Sequence, residues 1–229
     1  MLLLAIDTSG RNGSVALARG DSAQTLEILE LLPLAGRMYS AQLIPQIKVA
    51  LERHQLTKRE LDAFAVASGP GSFTGLRVGL STVKALAEVL QKPIAAVSVL
   101  QAAARLAGCY GHVIVALDAG RQQVFAGDYE IHGNGEFSSR QELLLPLNDF
   151  LHSVSERSAV LATPDASVAN AAQGRGLSFQ EIASPQADTI ARLGLEQLRA
   201  GQSVAPEALE PNYLRPSDAE LFSLPKLRQ

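Results

Sequence analysis

The chain has 229 residues, 47% of them hydrophobic, and a formal net charge of −3 at pH 7. This length suits one large or two small domains with a sizeable core, and no apolar run approaches the roughly 20 residues that span a bilayer. A negative net charge, without a cluster of Lys and Arg, argues against a protein that binds nucleic acid by itself. Because Cys109 is the only cysteine and the start lacks a basic n-region, we expect a cytoplasmic protein without disulfides.

Strand and helix patterns alternate through the first half of the chain. The predicted order is strands over 2–7, 14–18 and 24–32, a helix over 40–54, a strand over 63–68, a helix over 72–91, a strand over 94–98 and a helix over 99–106. The turn dipeptide Asn12-Gly13 joins the first two strands into a hairpin. Residues 57–60 (TKRE) form a capping-box pattern, which predicts a short helical turn.

The second half begins like the first. Residues 113–120 repeat the form of residues 2–9, an apolar strand followed by Asp, small residues and a turn. The further predicted elements are strands over 123–129 and 137–145, a helix over 147–154, a strand over 159–162 and a final helix over 188–199. The stretch before Gly176 is left unassigned. We therefore predict an α/β protein of two like halves, 1–108 and 109–229, that meet at a tight junction.

A glycine-rich turn joins the strand over 63–68 to the longest predicted helix. Ser72 stands at the position of a helix N-cap. Gly75 and Gly79 are one turn apart, so they flatten the same side of the helix. Two glycines inside a helix cost roughly 1 kcal/mol each against alanine, and close packing against another backbone would offset this. We expect that close neighbour to be a partner helix.

The same glycine-rich turn is also a candidate anion-binding site. Helix N-termini expose N–H groups and a positive dipole end, and strand ends in open α/β sheets gather ligands. The candidate nucleotide- or anion-binding residues are Asp7, Thr8, Ser9, Gly69, Gly71, Ser72 and Asp118. However, Gly69-Pro70-Gly71 lacks the Gly-Lys-Ser/Thr of a phosphate loop, and Asp at a strand end is an ordinary turn former. Both interpretations stay open from the sequence.

No catalytic set can be assembled from the sequence. The histidines at 54, 112, 132 and 152 lack metal-ligand spacing, and there is no Gly-x-Ser-x-Gly elbow. Cys109 is typical of a small packed residue, and Arg77 suits either a solvated side chain or a partner contact. We predict no catalytic residue and assign no metal ligand. The alternative left open is that Asp7 and Asp118, at the ends of their strands, coordinate a metal ion or orient a phosphate between the two halves.

Four segments together resemble the TsaB (YeaZ) family. They are residues 4–9 (LAIDTS), 69–79 (GPGSFTGLRVG), 118–121 (DAGR) and 211–215 (PNYLR). The resemblance runs nearly end to end. It implies a duplicated actin-like (ASKHA, ribonuclease H-like) fold of two mixed sheets flanked by helices, which agrees with the repeat above.

The resemblance also implies a function. Members of that family are non-catalytic partners of a paralogue, TsaD, which transfers a threonylcarbamoyl group to N6 of adenosine beside the tRNA anticodon. The resemblance further implies that the TsaE ATPase binds the pair and that tRNA is reached only through the complex. It also implies that no membrane is involved and that the chain alone forms a homodimer. No cofactor is implied for this chain, and ATP or ADP at the complex interface is left open. TsaD-like proteins carry paired metal-binding histidines on a helix, and this sequence has no such pair.

The resemblance places the partner interface on the first two helices. The implied interface residues are Leu43, Ile47, Phe73, Gly75, Leu76, Arg77, Gly79, Leu80 and Val83. Tyr39 stands where the family usually has histidine, so no role is carried over for that position. The alternative function is a free-standing nucleotide-dependent enzyme or a glycopeptidase-like hydrolase.

Overall fold

The computed structural model describes residues 1–21, 25–35, 38–133 and 137–215. The first sheet has the spatial order β3 (Leu26–Leu34), β2 (Gly13–Gly20), β1 (Leu2–Asp7), β4 (Ala63–Gly69) and β5 (Ile94–Ser98). The second has the order β10 (Gln180–Glu181), β9 (Val160–Thr163), β6 (Gly111–Gly120), β7 (Gln123–Ile131) and β8 (Phe137–Pro146). The helices are α1 (Tyr39–Arg53), α2 (Phe73–Leu90), α3 (Val99–Leu106), α4 (Leu147–Ser155), α5 (Ala166–Gln173) and α6 (Ala187–Arg199).

The two sheets repeat one topology. In the first, β1 pairs antiparallel with β2 and parallel with β4. In the second, β6 pairs antiparallel with β7 and parallel with β9. Each sheet therefore places its first strand in the centre, its hairpin strands on one side and its parallel strands on the other. The predicted duplicated actin-like fold, two mixed sheets flanked by helices, is confirmed.

The first sheet is covered on both faces. Every residue of β1 and β4 is buried, as expected for strands between two helical layers. One face packs against α1 and α2 through large side chains such as Leu4, Phe64 and Leu76. The opposite face is rich in alanine and packs against α6. A Cβ added at Gly194 of α6 would lie 2.5 Å from the Cβ of Ala65, so the small residues let this helix approach the sheet closely.

Helix α3 lies at the junction of the two halves. It contacts strands of both sheets as well as α6. The second sheet packs α4 and α5 on its other face. Because α6 follows the second sheet in sequence but covers the first, the chain crosses between the halves twice. The predicted boundary at 108/109 stays a prediction, and the tail beyond residue 215 lies outside the described residues.

Most predicted elements are present, with shifted ends. The third strand begins at Leu26 rather than at residue 24, which lies outside the described residues, and it runs on through Pro33. Proline is tolerated there because β3 is an edge strand. The capping box is formed, with the Thr57 N–H donating to Glu60 Oε2 at 2.7 Å. The stretch left unassigned contains α5. No described helix combines the length and apolar content that crossing a bilayer requires.

Candidate functional site

The turn between β4 and α2 has the predicted strand, turn and helix order. The Gly69–Pro70 peptide bond is cis, and Gly69 has a φ of +121°, which favours glycine. A Cβ at Gly69 would lie 2.6 Å from the carbonyl oxygen of Asn212. Ser72 caps the helix, since its Oγ accepts from the Gly75 N–H at 3.3 Å. The turn is thus fitted against the C-terminal segment of the same chain.

The chain's own first turn lies against the N-terminus of α2. The Ser72 N–H donates to the Ser9 carbonyl at 2.7 Å, and a Cβ at Gly71 would lie 2.5 Å from that oxygen. The Thr8 hydroxyl donates to the Gly75 carbonyl at 2.8 Å. Part of the proposed anion-binding surface is therefore already in contact with protein.

The glycine pair has its close neighbour within the chain. A Cβ at Gly75 would overlap the Thr8 carbonyl oxygen, and a Cβ at Gly79 would overlap the Thr8 hydroxyl. Both glycines are buried. The expectation that they admit a partner helix is corrected here: the space is filled by the loop that follows β1.

The two aspartates predicted as ligand groups are each bonded within their own half. Asp7 is buried, and its Oδ1 accepts from the Ser9 N–H at 2.8 Å and from the Ser9 hydroxyl at 2.6 Å. Burial raises the pKa of the Asp7 carboxyl, and these two hydrogen bonds only partly oppose the rise. Asp118 accepts from the Gly120 N–H at 2.7 Å and from the Ser167 hydroxyl at 2.9 Å. The described residues include no group of three His, Cys, Asp or Glu suited to a metal ion.

Asp165 lies beside Asp118, and the sequence did not single it out. Its Oδ2 accepts from the Asp118 N–H at 2.7 Å. Burial raises the pKa of the Asp165 carboxyl, and the hydrogen bond from the Asp118 N–H opposes that rise. The charge of Asp118 raises the pKa further, and the charge of Arg11 lowers it. The available sequence signal was an Asp directly before a helix-forming run, Ala166–Gln173.

Tyr39 has a structural role. Its side chain is buried, and its hydroxyl donates to the Gly10 carbonyl at 2.8 Å. A Cβ at Gly13 would lie 2.7 Å from the Tyr39 ring. This tyrosine therefore ties α1 to the turn between β1 and β2.

The predicted interface residues divide between core and surface. Arg77 is exposed and Phe73 is half-buried. The remaining seven are buried within the chain: Leu43, Ile47, Gly75, Leu76, Gly79, Leu80 and Val83. The apolar stripe of each helix thus serves the core. These seven residues hold the two helices in place from the core, but they are not exposed for direct contact with a partner.

The outer faces of α1 and α2 carry apolar residues of their own. Met38, Ile44 and Val89 are 62%, 54% and 75% exposed. Ala41 and Pro45 lie exposed on the same side of the chain as Ile44, within the first turns of α1. Exposed apolar side chains on the outer sides of two helices provide apolar area that a protein partner can cover. We call this surface the α1–α2 face.

Phe73 and Arg77 meet the C-terminal segment at one end of this face. The Phe73 and Tyr213 rings stack with centroids 4.8 Å apart, and the Arg77 guanidinium carbon lies 3.8 Å from the Phe73 centroid. Arg77 Nε also donates to the Tyr213 hydroxyl at 3.0 Å. A groove beside this cluster is lined by Phe73, Thr74, Arg77, Val78 and Ser81.

A family model described as TsaD: tRNA N6-adenosine threonylcarbamoyltransferase matches residues 33–221. The chain belongs to this family. A relative named tRNA threonylcarbamoyladenosine biosynthesis protein TsaB, from Escherichia coli (strain K12), is 28% identical over 94% of this chain and 95% of its own length. A relative of the same name from Bacillus subtilis (strain 168) is 35% identical over 57% of this chain and 56% of its own length. The latter alignment thus spans about half of each protein.

Two solved structures are also similar along nearly the whole chain. One, described as an uncharacterized protein with similarity to peptidase YEAZ from Pseudomonas aeruginosa, has a TM-score of 0.76 and 28% identity, covering 93% of this chain and 99% of that one. The other, YeaZ from Pseudomonas aeruginosa, has a TM-score of 0.71 and 27% identity, covering 92% and 100%. The predicted resemblance to the TsaB (YeaZ) family is confirmed.

Proposed function

We propose that this chain is a non-catalytic subunit in the synthesis of N6-threonylcarbamoyladenosine in tRNA. The observation that carries the proposal is the α1–α2 face, an exposed apolar surface on a chain whose relatives are named for this biosynthesis. In this proposal the face binds a TsaD-type paralogue, which performs the transfer, and the TsaE ATPase joins the pair. The tRNA is reached through the complex.

The chemistry of the described residues supports a non-catalytic role. The four histidines have separate polar neighbours, which are Glu30, Asp128, Ser138 and Glu156. The buried Asp7 carboxylate is bonded to Ser9 at the base of its own turn. Among the described residues, none of these pairs extends to the nucleophile, base and orienting third group that a catalytic triad combines.

The buried positions of α1 and α2 support the proposal in a second way. Leu43 and Leu76 are buried in the core shared with the first sheet, so the two helices are fixed by packing before any partner binds. A rigid surface loses less conformational entropy on binding than a mobile one. The same surface suits self-association when the paralogue is absent, so a homodimer and the heterodimer would compete for it.

Substitution on the exposed face tests this proposal. Ile44→Asp and Val89→Asp place a charge at positions that are 54% and 75% exposed, so the fold should persist while a dry interface is disrupted. Tyr110→Asp is the matched control, because Tyr110 is 69% exposed and lies outside α1 and α2.

Two measurements test the variants. Size exclusion with light scattering should show that Ile44→Asp and Val89→Asp no longer form the complex with the paralogue, while Tyr110→Asp still does. Mass spectrometry of tRNA nucleosides should show product from the reconstituted system with the control and little with the variants. Undisturbed complex formation by both variants contradicts the proposed face, and equal product without this chain contradicts the proposed function.

A further inference from the structure

A cavity of about 250 Å³ lies between α3, α6 and the beginning of β3, away from the α1–α2 face. Three arginines and one glutamate line it, together with two leucines: Leu26, Arg105, Arg192, Leu195, Glu196 and Arg199. The chain as a whole has a net charge of −3, so this local excess of positive charge stands out from its surroundings.

The fold brings these arginines together from two helices. Arg192, Glu196 and Arg199 occupy successive turns of α6 and share one face. Arg105 comes from the last turn of α3 and pairs with Glu196, and its guanidinium carbon lies 5.3 Å from the Phe137 ring centroid. Leu195 is buried beneath them. The only carboxylate in the cavity lining, that of Glu196, is therefore already paired with Arg105. The other charged groups of the lining are guanidinium groups.

Two of the arginines have evident structural roles. Arg105 and Arg199 stand in the last turns of their helices, where a positive charge favours the helix dipole. Arg199 also donates to the backbone carbonyl of Asp21. The nearby Asp21 carboxylate accepts from the Thr25 N–H at 3.0 Å within its own turn. These bonds leave further N–H donors on Arg199, since a guanidinium has five.

Arg192 is not explained in this way. It is exposed near the middle of α6, and its side chain has no hydrogen bond or ion pair with any residue in the described ranges. A helix dipole gives no benefit at that position, because the effect falls off within the terminal turns. The structure therefore holds an unpaired guanidinium over a cavity that already contains two others.

We propose that this cavity binds a phosphate group, carried either by an RNA backbone or by a small phosphorylated molecule. Guanidinium groups bind phosphate oxygens through paired N–H donors and are weakly hydrated, so several of them in one cavity form a selective anion site. The site does not depend on the α1–α2 face or on a paralogue.

Titration of the full chain with inorganic pyrophosphate at low ionic strength tests the site. We expect saturable binding at one site per chain. Arg192→Glu should weaken it by at least about tenfold, and Arg192→Lys should weaken it less, because lysine keeps the charge but loses the paired donors. Arg59→Glu is the charge-matched control, since Arg59 is exposed and does not line the cavity. The circular dichroism spectrum and thermal midpoint of each variant report whether the fold is kept.

Competition separates the two sources of phosphate. If unmodified tRNA displaces pyrophosphate and its own affinity falls with salt, the ligand is an RNA backbone phosphate. If pyrophosphate binds and tRNA does not displace it, the ligand is a small phosphorylated molecule. Absence of saturable pyrophosphate binding, or equal binding by folded Arg192→Glu, overturns the proposal. Because the isolated chain is used, these results stand apart from any failure to bind the paralogue.

Discussion

Thr8 is the residue on which the contact between β1 and α2 depends. Its carbonyl faces Gly75, its hydroxyl faces Gly79, and that hydroxyl donates to the Gly75 carbonyl at 2.8 Å. The sequence correctly indicated that the two glycines need a close neighbour. It could not say which segment fills the space, because helical spacing shows only which side of a helix is flat.

Replacement of Gly75 by alanine should destabilise the isolated chain. Alanine is normally favoured over glycine in a helix by about 1 kcal/mol, but here its Cβ would overlap the Thr8 carbonyl, and such overpacking costs about 1–3 kcal/mol beyond that gain. Gly133→Ala is the control, because no atom of the described residues lies within 4 Å of an added Cβ there. Urea unfolding measures both. Equal midpoints for the two variants would contradict an intrachain role for Gly75.

The buried carboxyl of Asp7 should make stability depend on pH. Its pKa in the folded chain is raised above 3.8, so the folded state holds this proton more tightly than the unfolded state. The free energy of unfolding therefore falls as pH rises from 3.8 through the raised pKa, by about 1.4 kcal/mol for each unit of the rise. Asp7→Asn removes this contribution while keeping an acceptor for Ser9.

The measurement for Asp7 is a difference between two proteins. Urea unfolding of the wild type and of Asp7→Asn across that pH range cancels the contribution of the other carboxyl groups. The stability of the variant relative to the wild type should increase with pH and then level off. A difference that is constant with pH would show that Asp7 titrates alike in both states.

At the scale of elements, the segment from Leu209 to Arg215 joins parts that are distant in sequence. The Asn212 N–H donates to the Ser68 carbonyl at 2.7 Å, and its side chain donates to Glu142 Oε2 at 2.8 Å. Glu142 Oε1 in turn accepts from Ser98 and from Tyr129, each at 2.5 Å. The segment therefore links the turn before α2 to the second sheet.

Loss of the Tyr213 ring should loosen this link. Tyr213→Ala removes the stack on Phe73 and the hydrogen bond from Arg77, which together are worth about 1–2 kcal/mol for a half-buried ring. Tyr110→Ala provides the comparison, since Tyr110 is 69% exposed and its loss should stay within about 0.5 kcal/mol. Chemical unfolding of the isolated chain compares the two. A cost for Tyr213→Ala no greater than for Tyr110→Ala would mean that the Tyr213 contacts add nothing to stability.

The sequence predicted the positions of helices and strands more accurately than the sheet against which each helix packs. The helix predicted over 188–199 is α6, nearly to the residue, because its apolar positions recur with helical spacing. Its place on the first sheet was not predictable, since Ile190 and Leu193 suit any apolar surface. Helix α5 was missed because its short alanine-rich sequence has little amphipathic pattern. The partner interface on α1 and α2 stays a prediction. Seven of the residues predicted for it are buried in the core, because an apolar stripe on a helix is typical of cores and interfaces alike.

At the scale of the whole molecule, the two halves are not independent. Helix α6 covers the alanine-rich face of the first sheet, and α3 contacts both sheets. The core on that face of the first sheet therefore includes five buried residues from beyond the second sheet: Ala187, Ile190, Ala191, Leu193 and Leu195. Small domains bury barely enough apolar surface to fold. Loss of the α6 layer should therefore leave the first half without a stable fold.

A fragment of residues 1–108 should fail to fold cooperatively. It would expose the face of the first sheet that α6 covers, including Leu3 and Val97, which are fully buried in the intact chain. Far-ultraviolet circular dichroism during urea unfolding should show a broad, non-cooperative change for the fragment and a single sharp transition for the full chain. A sharp transition in the fragment would show that α6 is dispensable for the first half.

The return of α6 to the first sheet has a consequence for synthesis on the ribosome. The strands of the first sheet are complete once Ser98 has emerged, but the helix that covers one of its faces ends at Arg199. About 100 further residues separate these events, and translation at about 5–20 residues per second makes this roughly 5–20 seconds. During that interval the nascent chain carries an apolar sheet face that α6 does not yet cover, and we expect chaperones that act before release to bind it.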